Sequence, residues 1–170
     1  MIIASSIEKS YGPQILFEDV SFLINKGERI GLVGKNGMGK STLFRMILGQ
    51  ENYDSGTLSI PRGYRIGALE QYIHFTQPTV LNECIDALPP EKQWDHYKAE
   101  IILSGLGFSE QDFHKDPTTF SGGFQVRINL CKALLGDPNM LLLDEPTNYL
   151  DILSLRWLKE YLNKWPGEMM

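Results

Sequence analysis

The sequence predicts an α/β fold whose core strands run parallel, and three observations carry that prediction. Strand-like and helix-like segments alternate along the chain. A glycine-rich turn from Gly34 to Ser41 separates an apolar run, Arg29 to Val33, from an amphipathic one. A second apolar run, Met140 to Leu143, ends in two carboxylates, Asp144 and Glu145.

In order along the chain, Met1 to Ala4 opens as a β-rich segment that turns at Ser10-Tyr11-Gly12-Pro13. Phe17 to Ile24 mixes β-branched and aromatic residues, and Asn25-Lys26-Gly27-Glu28 makes the next turn. Arg29 to Val33 then reads as a buried strand feeding the loop. A helix follows from Ser41, with Leu43, Met46 and Ile47 on one face and Gly49 at its end. Thr57 to Ile60 and Tyr64 to Ala68 read as a strand pair across Pro61-Arg62-Gly63.

Helices are expected at Thr79 to Ala87 and at Glu91 to Leu106, joined by Pro89-Pro90. The second puts Ile101, Ile102 and Leu106 on its apolar side. After them come a helix at Gln125 to Leu135, the strand at Met140 to Leu143 and a helix at Ile152 to Leu162. Residues 71–120 thus form a small helical subdomain. It sits between a loop-bearing core with its β subdomain (1–70) and a closing segment (121–170), all within one domain.

The bulk properties fit that plan. At 170 residues and 42% hydrophobic, the chain holds one domain's worth of buried core. A formal charge of −5 argues against holding naked nucleic acid by electrostatics alone. Cys84 and Cys131 show no CxxC spacing and read as buried thiols in a reducing compartment. His74, His96 and His114 are isolated and suggest no metal site. The start lacks a basic segment leading into an apolar one, and no apolar run nears the ~18 residues a span requires. The reading is a soluble, cytoplasmic protein without a membrane segment of its own.

The chemistry begins at the loop. Gly34, Gly39, Lys40 and Ser41 satisfy G-x-x-x-x-G-K-[ST], with Lys35, Asn36, Gly37 and Met38 between them. Glycines let successive backbone N–H groups turn inward toward phosphate oxygens. The helix that follows aims the positive end of its dipole at the same anion. Lys40 supplies a mobile cation for the outer phosphates, Ser41 a hydroxyl for Mg²⁺, and Thr42 a further phosphate contact. A strand ending in Asp144 can deliver that carboxylate to the same Mg²⁺. Glu145 then stands where it can polarise an attacking water. The third signal, Ser121-Gly122-Gly123-Phe124-Gln125, is a second phosphate-ready helix start.

This order of motifs, a P-loop, then the lone Gln71, then FSGGFQ, then LLLDEPTNYLD, resembles an ATP-binding cassette (ABC) ATPase over essentially the whole chain. The resemblance implies a P-loop NTPase fold with a parallel core sheet, an N-terminal antiparallel β subdomain and a small helical subdomain. It implies that Tyr11 stacks on adenine and that Gln71 contacts Mg²⁺ and the attacking water. Ser121, Gly122, Gly123, Phe124 and Gln125 match the signature that grips ATP bound to an opposite cassette. Asn148, Leu150 and Asp151 match the D-loop at the interface between two cassettes, which share a chain or form a homodimer.

The DEPTNYLD context and the FSGGFQVR signature, with Ile102 to Phe108 before it, resemble the first cassette of the ABC-F branch. That branch implies a soluble factor acting on the translating ribosome. The chain departs from it at Tyr149, where His is usual, and leaves little room for the branch's charged helical arm. It also stops at Met170, with no His after Glu145 to serve as the family's switch histidine. The expectation is therefore a C-terminally incomplete cassette. Two other function classes compete: the nucleotide-binding subunit of a membrane transporter, and an ATP-sensing module that does not hydrolyse. Glu145 weighs against the last.

Overall fold

The computed structural model describes residues 1–69 and 74–170. Strand β1 (Ile2–Tyr11) is the centre of an antiparallel sheet, flanked by β2 (Gln14–Ile24) and β3 (Ser55–Ser59). Its alternation is visible in the sequence, with Ile2 and Ala4 buried, but the inward set then slips to Ile7 and Lys9. The slip is a bulge. The register on both partners breaks between Ala4 and Ile7 or Ser5 and Glu8, and Ser6 takes φ +49°. Gly56 lies against this bulge at φ +95°, and a Cβ there would collide with the Ser6 carbonyl. Lys9 is buried because Glu51 (2.8 Å) and the Asn52 carbonyl (2.7 Å) satisfy its ammonium.

The second sheet is parallel, in the order β4 (Ile66–Ala68), β5 (Met140–Leu142), β6 (Glu168–Met169). Arg29 bridges to Met169 and extends that order by one position. Strand β5 is a wall between two cores. Leu141 faces the helical side, with Ile102, Leu103, Ile128 and Leu158. Met140 and Leu142 face Ile2, Ile24, Leu43 and Met46 on the other side. A strand buried on both faces reads as a continuous apolar run, which is why MLLL shows no alternation.

Helix α1 (Lys40–Ile47) starts directly at the loop and buries Leu43, Met46 and Ile47. Helices α2 (Val80–Ile85), α3 (Tyr97–Gly105) and α4 (Gly122–Leu135) enclose the helical core, against which α5 (Ile152–Lys164) packs Leu158. Thr79 caps α2 by accepting from the Asn82 N–H. Cys84 and Cys131, distant in sequence, meet inside this core. Burial, and then its neighbour Cys84, push the Cys131 thiol well above its ordinary range.

Four local expectations need correction. Arg29 to Val33 is not a buried strand. Arg29 and Ile30 pair with Met169, but residues 31–33 meet no strand and Val33 is 90% exposed. Segments 57–60 and 64–68 are not a hairpin, because β3 belongs to the antiparallel sheet and β4 to the parallel one. Pro61-Arg62-Gly63 is the crossing between sheets. Glu91 to Leu106 is not one helix: a 3₁₀ segment (Pro90–Asp95) precedes α3 and they part at His96. Finally, Ile101 is 56% exposed, while Ala99, Ile102, Leu103 and Leu106 are the buried set.

Candidate functional site

Gly39 caps the start of α1 at φ +88°, and Gly37 takes φ +80°. These left-handed turns fold the loop back on itself, so the first N–H groups of α1 are left without helical acceptors. Gly39 is held from below as well: a Cβ there would lie 2.8 Å from Cζ of Phe17 on β2. Lys40 lays its ammonium across the loop, donating to the carbonyls of Gly34 (2.8 Å) and Lys35 (3.2 Å). Both are weak neutral partners that an anion would displace.

Beyond the end of β5, Asp144 meets α1. The Ser41 hydroxyl donates to its Oδ2 at 2.5 Å. Glu145 follows at φ +47°, an uncommon backbone for a non-glycine residue that costs on the order of 1–3 kcal/mol. Its carboxylate accepts from Nδ2 of Asn148 at 2.6 Å. Asn36, Gly37, Lys40, Ser41, Thr42, Asp144 and Glu145 all line one cavity of about 840 Å³. Met38 is 60% exposed and lies outside that lining.

The cavity therefore brings the loop's N–H donors and the Lys40 ammonium together with the Ser41 hydroxyl and two carboxylates. A polyphosphate fits the donors and the ammonium. A hydroxyl and a carboxylate 2.5 Å apart fit a hard cation such as Mg²⁺, which takes one or two protein oxygens and draws the rest from phosphates and water.

A family model described as ABC transporter matches residues 17–148. The chain belongs to the ABC ATPase family. The energy-dependent translational throttle protein EttA of Escherichia coli K12 is 40% identical over 166 residues, covering 96% of this chain and 30% of that protein. The probable ATP-binding protein YheS of the same organism is 30% identical over 200 residues, covering 100% of this chain and 31% of that protein. The chain thus spans about a third of the length of these curated relatives. Together they support the ABC-F branch of the family. A solved dimeric ATP-binding cassette, in a post-hydrolysis state with ADP and phosphate, has a TM-score of 0.79 at 23% identity and shares the fold. The alignment covers 99% of this chain and 86% of that one.

The remaining ABC motifs occupy distinct places. Ser121 stands at the N-cap of α4 without a side-chain cap bond, and Gly122 faces open space. That leaves an exposed helix start suited to an anion brought by another molecule. Phe124 and Gln125 instead serve their own subdomain. Phe124 packs edge-on to Phe108 with ring centres 5.1 Å apart, and the Gln125 amide donates to the carbonyls of Phe120 (2.9 Å) and Thr118 (3.3 Å). Of the residues matched to the D-loop, Asn148 lines the same cavity, Leu150 packs against the helical core, and Asp151 caps α5. Tyr11 is half exposed at the end of β1, its ring 4.7 Å from the Lys9 ammonium and outside the cavity lining. Gln71 lies outside the described residues.

Four residues that shape this region carried no predicted role in the sequence. Tyr149 and Val126 line the cavity, and the Tyr149 ring lies 3.8 Å from where a Gly123 Cβ would be. Arg127 is buried and donates to the carbonyls of Tyr149 (2.9 Å) and Leu106 (2.8 Å) and to Asp151 (3.0 Å). It fastens the signature helix to the D-loop. Glu83 is buried, which alone would raise its pKa. Lys132 (2.5 Å) and the N–H groups of Gln77 and Thr76 outweigh that and hold it lowered and ionised. It ties the segment after residue 73 to α4.

Proposed function

We propose that this cassette binds Mg-ATP, hydrolyses it when paired with a second cassette, and belongs to an ABC-F factor acting on the ribosome. The observation that carries the nucleotide reading is the convergence of Lys40, the Ser41–Asp144 pair and Glu145 on one cavity. In this reading the loop N–H groups and Lys40 hold the β- and γ-phosphates. Ser41 and Asp144, and by the family match Gln71, would hold Mg²⁺, which would supply neutralisation of the phosphate charge. Glu145 orients and polarises water, helped by the strained backbone that aims it. Tyr11 carries the adenine. The exposed start of α4, Ser121 to Gly123, reaches ATP held by the other cassette, with Asn148, Leu150 and Asp151 at the seam. Positioning and charge supply most of the catalysis. Closure on ATP and opening after hydrolysis make the output a conformational switch.

The domain organisation follows the same reading: a core with its β subdomain (1–70), a helical subdomain (71–120), and the signature, Walker B and D-loop segment (121–170). The dimeric relative supports pairing, and EttA's printed role supports translation. Among the described residues no helix is long and apolar enough to cross a membrane. The transporter-subunit reading keeps the support of the family model's own description and of a relative, 32% identical over 206 residues, whose printed name is an ABC transporter ATP-binding protein.

Calorimetry with Mg-ATP tests the first step: Lys40→Ala should abolish measurable binding, and undiminished binding would overturn the loop assignment. Co-sedimentation with ribosomes in ATP tests the branch. In the whole protein, Glu145→Gln should raise the ribosome-bound fraction by trapping the ATP-closed pair. No rise would favour the transporter reading.

A further inference from the structure

A second concavity of about 700 Å³ shares no lining residue with the nucleotide cavity. It lies between α3, the 3₁₀ segment Glu110–His114 and α5. Its floor is apolar: Ile101, the buried Phe113 and Trp157. Trp157 descends onto the backbone of α3 at Gly105, where any Cβ would strike the indole. Glycine inside a helix costs about 1 kcal/mol relative to alanine, and here it makes the space for the indole. Tyr161 stacks on Trp157 with ring centres 5.2 Å apart.

The rim is acidic. Glu100 and Glu110 line the concavity, and neither has an ion pair among the described residues. The neighbouring cations are already engaged, Lys98 with Asp95 (2.6 Å) and Lys115 with Asp112 (2.7 Å). His114 is the remaining titratable group on the lining. The apolar floor also continues outward. Ile101 and Tyr97, one helical turn apart, are 56% and 50% exposed, and Trp94 in the preceding 3₁₀ segment is 88% exposed. An exposed stripe of this kind, running into a preformed concavity, is an interaction surface rather than a scatter of single residues.

We propose that this surface docks a basic amphipathic helix of a partner protein. The apolar stripe takes anchors spaced i, i+3/i+4 and i+7, while lysines or arginines flanking them meet Glu100 and Glu110. Unpaired carboxylates repel phosphate, so the same rim disfavours RNA. The proposal is independent of the nucleotide reading, because the two concavities have no residue in common.

The test uses the 170-residue chain and a fluorescent leucine–lysine helical peptide of about 18 residues, five turns long. Its counterpart carries Glu at each Lys. Fluorescence anisotropy should show the basic peptide binding at least about tenfold tighter than the acidic one. Ile101→Ser, at an exposed position, should weaken it about tenfold. Glu100→Lys with Glu110→Lys should invert the preference. Glu8→Lys with Glu18→Lys, which changes net charge equally at exposed positions on the antiparallel sheet, should leave binding within about twofold. Three results would overturn the proposal. One is equal weakening by both charge reversals, which would mean bulk attraction. Another is self-association of the chain abolished by Ile101→Ser, which would mean a second copy. The third is duplex RNA binding lost with the same substitution.

Discussion

Gly39 and Gly37 look alike in the sequence, and the structure separates them. Both are left-handed, but Gly37 has nothing within 4 Å of an added Cβ, whereas Gly39 rests on Phe17. Alanine at position 37 therefore meets only the backbone penalty, about 1–2 kcal/mol. Alanine at position 39 meets that penalty and must also push the ring aside. Gly39→Ala should lower unfolding stability and ATP affinity more than Gly37→Ala, with affinity down by at least about tenfold. Adding Phe17→Leu should recover part of the loss. Calorimetry and urea titration of the three variants check this, and equal effects at 37 and 39 would refute the Phe17 contact. The G-x-x-x-x-G-K-[ST] pattern made Gly39 legible, with Gly37 an extra glycine inside it. Phe17 was not, because it sits on another strand and only folding brings it under the loop. Tyr149 and Val126 stood in quoted motifs, but that both line this cavity was not legible, because only folding brings those motifs to it.

Elements carry the next level. The start of α5 was legible to the residue, because the helical run begins at Ile152 directly after the D-loop match. Its connection to α4 was not, because Arg127 lies inside a helix and nothing local marks what its guanidinium reaches. The Ser154 N–H first, and then Arg127, hold the Asp151 carboxyl at about 2. The unfolded value is near 3.9. A folded pKa below the unfolded one adds stability that is complete above the unfolded value and lost as pH falls through the folded one. The stability difference between the wild type and Asp151→Asn should therefore stay level above about pH 5 and shrink between about pH 4 and pH 2. Urea titrations across that range measure it, and a difference flat through the whole window would sink the ionic cap. The break at His96 shows the opposite limit. The Lys92 N–H bonds to the Pro89 carbonyl three residues back, a 3₁₀ choice that helical periodicity does not distinguish.

At the scale of the molecule, β5 decides whether there is one cooperative unit or two. Its Leu141 belongs to the helical core and its Leu142 to the core beneath α1, so neither core has a wall without it. Both leucines are at most 1% exposed. Cutting either to alanine should cost about 2–5 kcal/mol, the range for buried leucines that leave a cavity. Unfolding should nonetheless stay a single transition. Trp157 and Trp165, which pack against the helical core, give a fluorescence signal for that side. Far-ultraviolet dichroism reports the whole chain. In Leu141→Ala the two signals should shift together to lower urea, and in Leu142→Ala they should shift by a similar amount, although the deletion lies on the other face. A fluorescence transition that moves in Leu141→Ala and stays put in Leu142→Ala would show two separately melting cores. The helical side would then be able to open while the nucleotide loop stays folded, and the signature helix would no longer be rigidly referenced to Asp144.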